Sequence, residues 1–132
     1  MTVVVGYVAT PEGRAALAAG RQEAATRSAR LVVVLSERGH RFGSDQVDLG
    51  TQEDELREQL DKDDLPYEIR QTSRGRDVAD DLISTATDTG AQLIVIGLRR
   101  RSPVGKLILG SNAQRILLDA PCAVLAVKPQ PT

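Results

Sequence analysis

The sequence predicts an α/β fold: a single doubly wound domain with a five-stranded parallel sheet and helices on both faces. Three observations predict it. Short, almost wholly apolar runs rich in valine, isoleucine and leucine recur along the chain, as in strands buried on both faces. Segments with helix caps and helical spacing separate them. Their alternation implies parallel strands joined by right-handed crossovers, and 132 residues suit one such domain with a sizeable core. The domain is expected over residues 1–128, followed by a frayed tail at 129–132 that carries two prolines.

The first strand is read at Thr2 to Val8. It stops at Ala9-Thr10-Pro11-Glu12, where Thr10 is a good N-cap, Pro11 suits the first helical position and Glu12 favours the first turn. The helix that follows runs to about Ala29. Ala15, Ala18, Ala19, Ala25 and Ala29 recur in it near helical spacing, and side chains this small let a helix lie close against a sheet. Leu31 to Leu35 is the second buried strand, and Ser36 to Gly50 lacks periodicity and reads as a long loop. Thr51-Gln52-Glu53-Asp54 has the form of a capping box. Leu56 and Leu60 give the second helix a narrow apolar stripe, and Asp61 to Asp64 end it before Pro66.

Tyr67 to Thr72 alternates polar and apolar residues, as an edge strand with one wet face does. The third helix is expected from about Arg76 to Thr89, with Ala79, Leu82, Ile83 and Ala86 on one face and Gly90 as its stop. Gln92 to Ile96 is the fourth strand. Ser111-Asn112-Ala113-Gln114 repeats the capping-box pattern and opens a helix whose apolar face is Ala113, Ile116, Leu117 and Ala120. Pro121 breaks that helix, and Cys122 to Val127 is the fifth strand.

Composition excludes several classes of function. A net charge of -1 argues against a protein that coats nucleic acid or an acidic membrane. Two tyrosines, one phenylalanine and no tryptophan leave little for stacking on bases. With Cys122 as the only cysteine and His40 as the only histidine, a disulfide, a cysteine metal site and a Ser-His-Asp triad are not expected. Cys122 reads as a small buried residue rather than a nucleophile. No apolar run approaches the ~20 residues of a membrane span, and no signal-peptide pattern opens the chain, so a soluble, cytoplasmic protein is expected.

One stretch carries the layout of a phosphate site. The strand ending Ile94-Val95-Ile96-Gly97 leads into a basic loop, Leu98 to Leu109, and then Gly110-Ser111-Asn112 opens a helix. A helix N-terminus exposes unpaired N–H groups and partial positive charge, and glycine lets backbone approach a ligand. Doubly wound sheets take ligands beyond the C-terminal ends of their strands, where the strand order reverses. A reversal between the first and fourth strands would bring Tyr7 to Pro11 beside Gly97 to Asn112. Gly105-Lys106 does not make a P-loop, because Arg100 stands at the upstream glycine and Leu107 where serine or threonine is needed.

These residues resemble the universal stress protein family over nearly the whole chain, from Val3-Val4-Val5 to Val124-Leu125-Ala126-Val127-Lys128. The most specific part is the family's nucleotide signature: a glycine, two residues, a glycine, nine residues, then glycine and serine or threonine. Gly97, Gly110 and Ser111 fit it without a gap, and the ending Asp119 to Lys128 is also similar to the family's. The resemblance implies strand order 3-2-1-4-5 and a homodimer joined along the last strand, Ala123 to Val127. It implies ATP or another adenine nucleotide as ligand, with Mg if the ligand is a triphosphate.

On that resemblance Gly97, Gly110, Ser111 and Asn112 contact phosphate and ribose, Arg99 and Arg100 supply charge, and Val8, Ala9, Thr10 and Ser36 bound the base and sugar. Three positions depart from the ATP-binding members: Arg100 replaces the second signature glycine, Val8 an aspartate, and Ser36 a valine against the adenine. Arg100 removes room for backbone near phosphate and adds a group that can bind phosphate with two hydrogen bonds. No general base is evident in the motif, so the expected role is a nucleotide-binding sensor or regulator, not an enzyme. A nucleotide-independent dimeric interaction module is the alternative reading.

Overall fold

The computed structural model describes residues 1–36, 49–72, 77–98 and 110–129. Its elements alternate as β1 (Thr2–Tyr7), α1 (Pro11–Arg27), β2 (Arg30–Leu35), α2 (Leu49–Leu60), β3 (Tyr67–Gln71), α3 (Val78–Thr89), β4 (Leu93–Gly97), α4 (Ser111–Asp119) and β5 (Ala123–Val127). The strands form one parallel sheet in the order β3-β2-β1-β4-β5. The chain therefore reverses direction across the sheet between β1 and β4, the place where a ligand crevice is expected.

Alternate strand residues feed two cores. Val3, Val5, Tyr7, Leu31, Val33, Leu35, Leu93 and Val95 pack with Ala16, Leu17 and Ala24 of α1 and with Leu56 and Leu60 of α2. Val4, Val32, Val34, Ile94 and Ile96 face the other way, toward Ala79, Leu82 and Ala86 of α3 and Ile116 of α4. This double burial is why the strands read as continuous apolar runs rather than alternating ones.

Several boundaries differ from the sequence reading. Helix α2 already begins at Leu49, so Leu49 and Gly50 are helical and Thr51 lies within the first turn instead of capping it. Residues 37–48 of the expected loop lie outside the described residues. The α3 cap is Asp77, whose carboxylate accepts from the Ala79 N–H at 3.3 Å, while Arg76 lies outside the described residues. Gly90 does stop α3, in the left-handed conformation (φ 64°) that glycine adopts without strain.

Helix α1 ends at Arg27, so the buried Ala29 lies beyond it, and the helix touches the sheet mainly through small residues other than the alanines that its sequence suggests. Ala18 and Ala25 are exposed and Ala15 and Ala19 half-buried, whereas Gly13, Ala16, Leu17, Gly20 and Ala24 form the buried face. A Cβ at Gly20 would stand 2.1 Å from a methyl of Val5, so the helix lies nearer the sheet than any side chain there would permit. In α4, Leu117 is 43% exposed and Leu118 83%, leaving Ile116 as the buried residue of that helix.

The two edges of the sheet are dressed differently. Along β3, Glu68 pairs with both Arg30 and Arg70, and the Tyr67 hydroxyl donates to Asp61. Gln71 donates to Glu53, itself paired with Arg57. At the other edge β5 carries Ala-Val-Leu-Ala-Val and no charge.

Candidate functional site

The C-terminal ends of β1, β2 and β4 meet at the switch point. Tyr7 pairs with Leu35 and Val5 with Val95. The next residues in register, Val8 and Ser36, follow side by side, and the Ser36 N–H donates to the Tyr7 carbonyl at 3.1 Å. Val8 is half-buried, Ala9 exposed and Ser36 only 3% exposed. Gly97 ends β4, and the Leu98 N–H that follows donates to Val127 of β5 at 2.7 Å.

All four helices begin at this end of the parallel sheet; α1 and α4, which follow the two strands at the switch point, are finished in opposite ways. At α1 the chain turns through a bond from the Thr10 N–H to the Val8 carbonyl (2.7 Å), and the Thr10 hydroxyl accepts from the Gly13 N–H (3.1 Å). Glu12 adds a carboxylate to the first turn. A capped helix start with its own acid has its N–H groups and positive end partly satisfied internally.

The close fit of α1 also explains two glycines. A Cβ on Gly13 would lie 1.8 Å from the Val8 carbonyl oxygen, and one on Gly97 would lie 2.1 Å from the Glu12 carbonyl oxygen. Gly97 is thus needed for α1 to close on β4, a reason that requires no ligand. Sequence reasoning missed Gly13, whose only signal was a glycine three residues past a cap in a helix otherwise rich in alanine.

At α4 the start is bare. The helix begins one residue earlier than the sequence suggests: Gly110, not Ser111, is the N-cap, and the Gln114 N–H goes to the Gly110 carbonyl at 3.0 Å. A hydrogen bond from that N–H to a capping Ser111 hydroxyl is therefore not what closes the first turn. Gly110 makes no side-chain cap, and no acidic residue sits in the first turn. Its backbone (φ -71°, ψ 167°) suits any residue, and a Cβ placed there would meet nothing within 4 Å. Among the described residues neither strain nor packing accounts for this glycine.

Ser111 is exposed and Asn112 half-buried beside it. Arg99 and Arg100, the cations expected here, lie outside the described residues, as do Lys106 and His40. Of the site residues read from the sequence, the structure thus sets Val8, Ala9, Thr10, Ser36 and Gly97 around the ends of three adjacent strands. Gly110, Ser111 and Asn112 open the helix that returns from β4 to β5.

Away from the crevice, burial pushes the Cys122 thiol up, which disfavours the reactive thiolate and accords with a packing role, although the residue is half-buried and not fully enclosed. No group of three or more His, Cys, Asp or Glu residues is placed to hold a metal ion among the described residues, and no helix among them is long and apolar enough to cross a membrane.

Comparison with known proteins accords with this geometry. A universal stress protein of Mycolicibacterium smegmatis is 42% identical over 127 residues, covering 96% of this chain and 97% of that protein. The structure of a universal stress protein from Archaeoglobus fulgidus superposes with a TM-score of 0.76 at 30% identity, covering 97% of this chain and 98% of the other. A structure of the Archaeoglobus fulgidus universal stress protein in complex with dAMP gives a TM-score of 0.72 at 25% identity, over 97% and 98% of the two chains. Residues 1–128 match the universal stress protein family as a whole, and the chain belongs to that family.

Proposed function

We propose that this protein binds an adenine nucleotide in the crevice between β1 and β4 and acts as a sensor or regulator in a stress response, not as an enzyme. The observation that carries the reading is the start of α4: a helix N-terminus capped by a glycine without a side-chain cap and with no acid in its first turn, at the end of the sheet where the strand order reverses. A similar Archaeoglobus fulgidus protein solved in complex with dAMP supports the ligand class.

In this reading Gly110, Ser111 and Asn112 receive the phosphate, and Arg99 and Arg100 add charge. Val8, Ala9, Thr10 and Ser36 bound the sugar and base, and Gly97 keeps α1 against β4. Val8 offers no side-chain carboxylate beside the crevice, so any Mg ion accompanying a triphosphate would rest mainly on the phosphates and water. The test is calorimetric titration with ATP, ADP, AMP and dAMP, together with mass spectrometry of nucleotide released from freshly purified, denatured protein. Stoichiometric nucleotide or a saturating heat supports the reading; neither at millimolar ligand ends it.

The uncharged β5 edge favours a second element, a homodimer joined along Ala123 to Val127. A module that only dimerises, without nucleotide, is the alternative this edge leaves standing. Sedimentation velocity tests the dimer, and a monomer at micromolar concentration removes it.

A further inference from the structure

We infer that Arg115 is a positioning residue that aims the α4 N-terminus at the crevice; this rests on the nucleotide reading above. Helix α4 is short, and Ile116 is its buried side chain. Ala113 and Ala120 pack half-buried against the same core, but small contacts from one face of so short a helix restrain its tilt only weakly. A second anchor one position away supplies the missing restraint. Arg115 reaches from α4 to the first turn of α3, placing one terminal nitrogen 3.5 Å from Asp77 and pairing the other with Asp80. Its Nε lies 3.7 Å from Asp119, on its own helix.

Asp77 uses its other carboxylate oxygen to cap α3, so the same side chain ends one helix and tethers the next. Arg115 stands one turn below Ser111, about 6 Å along the helix, so a tilt released at this anchor moves the phosphate-binding end. Three carboxylates around one guanidinium form a network, which holds geometry better than an isolated surface pair. The effect is on the direction of α4 and not on contact with the ligand, because Arg115 lies beyond the first turn.

Two readouts test this. In the ligand-free chain, Arg115→Met should speed amide exchange across α4 about tenfold while leaving Leu82 to Ala86 of α3 unchanged. The same variant should bind AMP about three- to tenfold more weakly, and Arg115→Lys, which keeps one charged contact, should recover part of the loss. Unchanged AMP affinity, or equal exchange in both helices, overturns the inference. If Arg115→Met fails to fold, Asp80→Asn takes its place, with an expected loss of about threefold; no loss overturns the inference. Wild-type protein that does not bind AMP defeats the nucleotide reading itself, and the exchange data then still report whether the clamp exists.

Discussion

Helices α1 and α4 both begin at the ligand-facing end of the sheet, yet one start is closed and the other open. The α1 start has a threonine cap, an acid in its first turn and backbone pressed so tightly onto β1 and β4 that Gly13 and Gly97 have no room for a Cβ. The α4 start has no side-chain cap, no acid in its first turn, and at Gly110 a glycine where a Cβ would meet nothing within 4 Å among the described residues. Gly97 and Gly110 belong to one sequence pattern, but Gly97 meets a packing constraint, and Gly110 meets none among the described residues. A shared motif thus combines a residue that builds the crevice with one available to whatever enters it.

The largest expected effect separates the two glycines by stability. Gly97→Ala pushes a methyl into the Glu12 carbonyl and should cost roughly 2–3 kcal/mol in urea denaturation. Gly110→Ala should cost no more than about 1 kcal/mol, the usual penalty of alanine at an N-cap. Similar losses at the two positions would erase the distinction.

The next effect separates them by ligand. Gly110→Asp fits the backbone at the cap and should change stability by only a few tenths of a kcal/mol, on the favourable side. The carboxylate would occupy and neutralise the anion site, so AMP affinity should fall at least about tenfold by calorimetry. A variant that is as stable as wild type and binds AMP equally well would show that α4's open start is not where the phosphate goes.

The smallest effect probes what holds α1 at its far end. Arg21 grips Asp63 with two bonds, Nε at 2.6 Å and a terminal nitrogen at 2.8 Å, and the hydrogen bonds from Arg21 hold the Asp63 carboxyl below its ordinary range. A carboxylate with a depressed folded pKa contributes stability above its unfolded value near ~3.9, and that contribution fades as pH falls through the folded value. Asp63→Asn should therefore cost about 0.5–1 kcal/mol at pH 7, since the pair is partly solvated. The gap from wild type should narrow below about pH 4. A gap that stays constant down to pH 2 would mean the ion pair contributes nothing to seating α1.

Much of this architecture was legible because burial leaves a plain mark. Valine runs such as Val3-Val4-Val5 and Val32-Val33-Val34 announce strands covered on both faces, and Thr10 and Gly90 announce a helix start and stop by local chemistry alone. The buried face of α1 was not legible, because glycine and alanine occur all round it and burial by close approach needs no hydrophobic contrast. The start of α2 was obscured by a segment without periodicity. At the candidate site, spacing pointed to Gly97 and Gly110 but could not tell them apart, since the distinction lies in Glu12, distant in sequence from Gly97 and adjacent to it in space. The partners of Arg115 were hidden for the same reason: Asp77 and Asp80 belong to another helix.

The unequal edges of the sheet carry a consequence for how the molecule can grow. An assembly that adds strands needs two compatible ends on every unit, one to receive and one to offer. Here the β3 end is fenced by ion pairs that a neighbour would have to strip of water, while the β5 strand carries no charge. If copies pair through β5, a unit with a single compatible end has a valence of one, and strand pairing would close after the first partner instead of propagating into a fibre.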